Sequence, residues 1–261
     1  MALIFFDIDG TLWDRENIIP ESTKTALRLL KENGHQIFLC SGRTRVFIRS
    51  EELFSMNFDG VLSGCGTHIE YHGREILYKR VDDDVLARSV QMFYDYDMPM
   101  VMEGRDMLFM DADIISRDDY GKFLLKTMEE YIQPIRDNQE NWEVSKFCVL
   151  IGKTRYREVI EALQDDYEFL VHGDIVMEVV PKGYSKATAI AEVCDLLGAD
   201  RNDTYAFGDS ANDIEMLDYV GTGIVMGNGT DEAKAHADYV TDDIHADGIY
   251  NACRRLNLIE S

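Results

Sequence analysis

Apolar and polar positions follow two rhythms along this chain. Short, nearly unbroken apolar runs occur at Leu3-Ile4-Phe5-Phe6, Ile37-Phe38-Leu39-Cys40, Val61-Leu62, Tyr205-Ala206-Phe207 and Thr222–Met226. Runs of that length, bounded by Gly, Asp and Ser, read as buried strands. Helical patterns lie between them. Pro20-Glu21-Ser22-Thr23 opens one, Ala26, Leu27, Leu29 and Leu30 continue it, and Asn33-Gly34 closes it. Strand, helix and strand within about 40 residues is the signature of a parallel βαβ unit. The pattern also predicts a helix over 44–55 and two short strands, 67–71 and 75–79, around the turn His72-Gly73-Arg74. Towards the end it predicts helices over 185–197, 211–219, 230–237 and 247–256, with a last short strand at 237–241.

The rhythm changes near Val81-Asp82-Asp83-Asp84. A helix is expected over 84–96, then a hairpin whose arms, 99–102 and 107–110, flank Glu103-Gly104-Arg105-Asp106. A polar helical stretch at 116–131 and a loop at 138–141 follow. After these come a strand at 144–151, a helix at 154–164, and strands at 167–171 and 175–180. Hairpins mixed with helices describe an α+β insert, not more doubly wound sheet. The expected fold class is therefore α/β. A doubly wound, Rossmann-like parallel-sheet core is formed by 1–81 and 182–261, and an α+β cap domain is inserted at 82–181.

Three of the predicted core strands end in polar groups. The first runs into Asp7, with Asp9 two residues on and Gly10-Thr11 behind. The second stops at Ser41-Gly42, and the third at Gly208-Asp209, followed by Ser210-Ala211-Asn212-Asp213. Lys186 opens the helix after the insert. Each feature has a plain structural reading. Ser41 could cap a helix, Asp209 and Asp213 could be a cap and a solvated face, and Lys186 could be one surface lysine among many. Together, at strand-to-helix junctions of one parallel sheet, they fall where open α/β sheets bind ligands. Bare carboxylates there must be solvated, paired or metal-bound, because burying them alone is costly.

Charge sharpens this picture. The 261 residues carry 26 Lys and Arg against 49 Asp and Glu, a formal net charge of −23. Nucleic acid and anionic membrane, which both require a basic footprint, are disfavoured as partners. An anionic substrate would need a bound cation beside those acids. The five cysteines are widely spaced and form no C-x-x-C, which fits a reducing cytosol. The N-terminus shows no basic n-region and no run nears about 18 apolar residues, so neither a signal peptide nor a membrane span is expected. A cytoplasmic protein, monomeric or weakly homo-oligomeric, is expected. His68, His72, His172 and His245 form no ligand spacing and are expected at the surface. The methionines at 98, 100, 102, 107 and 110 are expected in hairpin packing, with an adaptable substrate surface as the other reading.

Asp7-Ile8-Asp9-Gly10-Thr11-Leu12 resembles, without a gap, the first motif of the haloacid dehalogenase-like phosphatases. Ser41-Gly42-Arg43 resembles their second motif, Lys186 in Pro181-Lys182-Gly183-Tyr184-Ser185-Lys186 the third, and Gly208–Asp213 the fourth. Gly227-Asn228-Gly229, Ala237–Thr241 and Asp247-Gly248 continue the pattern of the Cof-like subgroup, whose members carry a large α/β cap where the insert lies. One departure is visible: Cys65-Gly66-Thr67 stands where the subgroup usually has Asn-Gly-Ala.

The resemblance implies Asp7 as nucleophile, Asp9 as general acid/base and Lys186 as a third catalytic group. It implies Ser41, Gly42 and Asn212 at the substrate phosphate. It places Asp7, Asp9, Asp209 and Asp213 around Mg2+. The residue types suit phosphoryl transfer, which needs an in-line nucleophile, neutralisation of the equatorial oxygens and hard oxygen ligands for the metal. The implied activity is a Mg2+-dependent phosphatase acting on a small phosphorylated metabolite, such as a sugar phosphate, through an aspartyl-phosphate. A phosphomutase or phosphotransferase would share these motifs, and a non-catalytic metal-binding regulatory protein could share the scaffold. The cap is expected to choose the substrate, with Arg105 as a candidate contact or a plain surface charge on its turn.

Overall fold

The computed structural model describes residues 1–115, 119–136 and 138–260. Residues 116–118 of the helical stretch expected at 116–131 lie outside that range. The chain divides into two compact units. One comprises Met1–Gly42, Ser50–Ile76 and Ser185–Ser261; the other comprises Arg43–Arg49 and Leu77–Tyr184.

The first unit begins with β1 (Leu3–Phe6), buried along its whole length. Helix Glu21–Glu32 then buries Thr23, Ala26, Leu27 and Leu30 on one face, the 3.6-residue stripe that the sequence predicts. It returns the chain to β2 (Gln36–Cys40), and β3 (Gly60–Ser63) lies beyond. Both run parallel to β1. A hairpin of β4 (His68–Tyr71) and β5 (Arg74–Tyr78) closes that flank of the sheet, with β4 antiparallel to β3.

The second unit holds a sheet of six strands. These are β6 (Met100–Glu103), β7 (Leu108–Phe109), β8 (Ile132–Gln133), β9 (Lys146–Leu150), β10 (Tyr167–His172) and β11 (Val176–Pro181). Their order is β10-β11-β9-β6-β7-β8, antiparallel except for the β7–β8 pair. Side chains alternate along the strands. Met100 and Met102 join Phe93, Phe147, Val149 and Met177 in one cluster. Val101 joins Val46, Leu108, Met110 and Cys148 in another. The methionines are thus mainly packing residues. Arg105 sits in the hairpin turn, bonded to Asp106, paired with Glu143 and close to the Tyr78 ring.

The chain then returns to the first sheet with β12 (Thr204–Gly208), β13 (Thr222–Val225) and β14 (Tyr239–Val240). The completed order is β14-β13-β12-β1-β2-β3-β4-β5. The strands from β14 to β3 are all parallel. The order reverses at β1, which lies between β12 and β2, so the switch point of this doubly wound sheet is the carboxyl end of β1. Phe5 stacks on Phe38 and Phe6 on Phe207, with ring centroids 5.0 and 4.9 Å apart, which pins the register of these strands.

Three details depart from the sequence pattern. The single helix expected at 44–55 is broken into a 3-10 turn at Arg45–Phe47 and a helix at Glu51–Ser55, whose start is capped by Ser50. The cause is packing: Thr44 donates to Glu103 Oε2 (3.0 Å) and Val46 enters the second sheet's cluster. Residues 43–49 therefore fold with the 77–184 unit. The two-residue strand β8 has no alternating pattern long enough to announce it. His68, expected at the surface, is buried in β4, with Nε2 3.3 Å from Glu75 Oε2. The five cysteines are all buried and form no disulfide.

A carboxylate and lysine cluster at one sheet edge

The register Leu39, Phe6 and Phe207 across β2, β1 and β12 brings three strand ends level. Asp7 stands one residue past that level, and Ser41 and Asp209 two residues past it. Asp7 N–H still donates to Phe207 O (2.9 Å), so its backbone is fixed by the sheet while its side chain leaves it. Gly10 turns the chain with a φ of 81°, and a Cβ there would lie 2.4 Å from Asp209 Oδ2. Only glycine lets the first loop approach the third strand end so closely. Asn228 fastens this arrangement, donating to Gly10 O (2.7 Å) and accepting from Ile244 N–H (3.0 Å).

Lys186 is the first residue of helix Lys186–Leu197, started by Ser185 in a capping box with Thr188. That cap directs the lysine inward, where it is only 2% exposed. Its Nζ lies 2.6 Å from Asp7 Oδ1 and 2.6 Å from Asp213 Oδ1. The other oxygen of Asp213 accepts from the backbone N–H groups of Asp209 (2.9 Å) and Ser210 (3.1 Å). Asp213 therefore holds both the lysine and the Asp209 turn. Ser210 donates to Asn212 Oδ1 (3.0 Å), which fixes the amide in that turn.

Burial pushes the Asp7 carboxyl well above its ordinary range; Lys186 opposes this and Asp213 adds to it. Lys186 is also raised: burial opposes its charge, but Asp213 and Asp7 outweigh that cost. The ammonium is thus the fixed positive charge of the cluster. Asp209 is raised to about 7, by burial and then by Asp213, with Lys186 opposing. One oxygen from each of Asp7, Asp209 and Asp213 lies within 4.8 Å of the others.

A divalent cation fits this donor set. Three carboxylates face a single ammonium, and Asp209 Oδ1 is buried with no hydrogen-bond partner. An acceptor-only atom left dry in that way is costly unless a cation or its water meets it. Asp213 belongs to this set, and its oxygens also hold Lys186 and the backbone of the Asp209 turn.

The structure brings Asp7, Lys186, Asp209 and Asp213 into one cluster. Asp9 is exposed on the same loop, and its charge raises Asp7 and Asp209. Ser41 is buried at the neighbouring strand end, its N–H bonded to Leu62 O and its carbonyl to Cys65 N–H. Gly42 follows it at the limit of the first unit. Cys65, which replaces the usual Asn, adopts a positive φ of 54° behind Ser41.

Two polar arrangements escape the motif reading. Trp13 donates its indole N–H to Asp9 Oδ1 (2.9 Å), and only a spacing of four residues hints at it. In the second unit, Lys146 pairs with Glu178 and lies 3.9 Å from Glu103, while His172 bonds Glu178 (3.0 Å). The available signal is a charge inside each of three apolar strand runs. Burial raises Glu103, with Lys146 opposing; Glu178 is lowered, because Lys146 and His172 outweigh its burial.

A family model for haloacid dehalogenase-like hydrolases matches residues 4–253. The chain belongs to that family, in its Cof-like branch of capped phosphatases, and is a phosphatase. It is 31% identical to the candidate phosphatase YkrA of Bacillus subtilis, over 99% of this chain and 98% of that protein. It is 26% identical to the 5-amino-6-(5-phospho-D-ribitylamino)uracil phosphatase YitU of the same organism, over 95% and 94%. Among solved structures, the subclass IIB sugar phosphatase BT4131 aligns with a TM-score of 0.84 at 26% identity, over 99% of this chain and all of that one. Divalent metal use is general in the family, and Asp7, Asp209 and Asp213 form an acidic cluster. Among the described residues no helix is long and apolar enough to cross a membrane.

Proposed function

We propose that the protein hydrolyses small phosphoesters with Mg2+, through an aspartyl-phosphate on Asp7. The observation that carries this reading is the bridge from Lys186 to Asp7 and Asp213, beside the open Oδ1 of Asp209. Lys186 holds Asp7 in one rotamer and offsets part of the negative charge that an incoming phosphate would meet. Asp7 and Asp209 would hold the cation through their carboxylates and Asp9 through its backbone carbonyl, with Asp213 orienting Asp209. Bound there, Mg2+ would neutralise the carboxylates and polarise a phosphoryl oxygen. Ser41, Gly42 and Asn212 would hold the phosphate oxygens. Asp9, exposed on the Gly10 turn, would protonate the leaving oxygen and then take a proton from the water that frees the phosphate. YitU and BT4131 are named for substrates with a polyol or sugar portion. The favoured class is therefore phosphomonoesters of sugars or sugar-like metabolites.

The direct test is a phosphate-release screen over sugar phosphates and phosphorylated cofactor precursors with Mg2+. Release of free phosphate without a bisphosphate activator is expected. Transfer only to a second sugar hydroxyl would instead identify a mutase or phosphotransferase. Replacing the acid/base should depend on the leaving group. Asp9→Asn is expected to slow phenyl phosphate at least ~10-fold more than p-nitrophenyl phosphate, because the poorer leaving group needs the proton. Equal losses would remove Asp9 from that role.

A stability experiment reads the cation site without turnover. Between about 4 and about 7 the folded protein binds a proton at Asp209 that the unfolded chain, with an ordinary carboxyl, has released. Without divalent cations, Asp209 therefore makes the melting temperature fall as pH rises through that window. Mg2+ should restore it at pH 7.5 by several degrees and do little at pH 5, where the site is protonated. A Mg2+ effect equal at both values, or absent, would place the ion elsewhere.

A further inference from the structure

We infer that Trp13 is the residue that positions the general acid: its indole N–H fixes which oxygen of Asp9 accepts and which carries the transferable proton. This rests on the reading of Asp9 as acid/base. The two residues lie on one tight turn. Leu12 N–H and Trp13 N–H both donate to Ile8 O (3.0 and 3.2 Å), and Gly10 N–H donates back to Trp13 O (2.9 Å). Asp9 and Trp13 consequently face each other as a short bridge across the turn. Trp13 is 6% exposed and belongs to the buried core, whereas Asp9 is exposed. An exposed acid is thereby tied to a buried donor, Nε1 to Oδ1 at 2.9 Å.

The chemistry of the indole gives the contact its consequence. Indole N–H is a donor only, so the oxygen it meets must accept. Oδ1 is the better acceptor when it is the carbonyl oxygen of the protonated acid, which leaves the proton on Oδ2. In the first step the Asp7 carboxylate forms its bond to phosphorus and the bond from phosphorus to the ester oxygen breaks. The proton on Oδ2 goes to that oxygen, which leaves as a neutral alcohol, and Asp9 becomes a carboxylate. In the second step water attacks the phosphorus, its proton returns to Oδ2, and Asp7 is released as a carboxylate. Through both steps Oδ1 stays on Trp13, so the same oxygen gives and regains the proton. The indole touches neither the phosphoryl group nor the leaving group in this scheme, and it acts only through Asp9.

The test is Trp13→Phe, assayed with p-nitrophenyl phosphate and with phenyl phosphate, which have the same ring and differ in leaving group. An orienting role predicts a loss in kcat of ~10-fold for phenyl phosphate and no more than ~3-fold for p-nitrophenyl phosphate, with KM little changed. In an Asp9→Asn background the same substitution should cost less than ~2-fold, because the group it positions has lost its proton. Should Trp13→Phe fail to fold, benzothienylalanine placed at position 13 keeps the two-ring shape and replaces only the N–H by sulfur. The same ratios are expected of it. Equal falls for the two esters, or a full loss on top of Asp9→Asn, would show that Trp13 only packs the turn, while leaving the role of Asp9 intact if Asp9→Asn itself separates the two esters. If Asp9→Asn does not separate them, both the acid/base reading and this inference fall.

Discussion

Asp7→Asn is expected to reduce turnover by at least ~10^3-fold and to leave the fold intact. Asparagine is nearly isosteric with aspartate and can still accept the Lys186 hydrogen bond through its amide oxygen. It cannot form an acyl phosphate. Asp7 is buried and its carboxyl is raised above its ordinary range, so loss of its charge removes a desolvation cost and the melting temperature should hold or rise. Steady-state phosphate release gives the first measure. Acid-quenched reactions with labelled substrate give the second, since the wild type should retain label on the chain and Asp7→Asn should not. Residual activity above a few per cent, or label still bound to the variant, would move the nucleophile elsewhere.

The second large effect is expected from Lys186→Met, and it should strike stability and activity together. The lysine is 2% exposed, and its charge is shared by Asp7 and Asp213 at 2.6 Å each. Removing one partner of a buried ion pair leaves the rest uncompensated, at a cost of about 3–5 kcal/mol. The loss should be greater at pH 8 than at pH 5, because acid lets the abandoned carboxylates take up protons. Turnover should fall at least ~10^2-fold, since the fixed positive charge beside the proposed nucleophile Asp7 is gone. Adding Asp213→Asn should recover part of the stability and none of the activity. Chemical denaturation at the two pH values, with phosphate release alongside, makes the comparison. A variant as stable as the wild type at pH 8 would mean that the carboxylates find another counter-charge.

Much of this molecule was legible before any coordinates. The βαβ pattern identified the parallel sheet because strands buried on both faces must be apolar throughout, and such runs stand out from helical stripes. The acids at Asp7, Asp9 and Asp209 were conspicuous because each interrupts an apolar run at its end. A change of rhythm near residue 82 suggests an insert, although the second compact unit begins at Leu77, inside a β-strand, and also takes in Arg43–Arg49. These are local signals, carried by neighbours in the chain.

What the sequence by itself determined is therefore the class of fold, the phosphatase family and the residues of its motifs. The tertiary structure decided which of those residues meet. Nothing local says that Lys186 is buried, since a lysine opening a helix is ordinarily solvated. Its burial follows from a helix docking 179 positions away from Asp7 in the chain, with two carboxylates waiting there. Asp213 reads as one acid of a surface turn, and only the fold sets its oxygens on Lys186 and the Asp209 turn and within 4.8 Å of those of Asp7 and Asp209. Residues 43–49 read as the start of a helix, and fold instead against the second sheet through Thr44 and Val46. Trp13 reads as one more apolar residue, and only the closure of the turn from Ile8 sets its N–H on Asp9. The physical reason is common to all four. Apolar periodicity is a property of one segment, whereas the partner of a buried charge or donor is chosen by packing between segments distant in sequence.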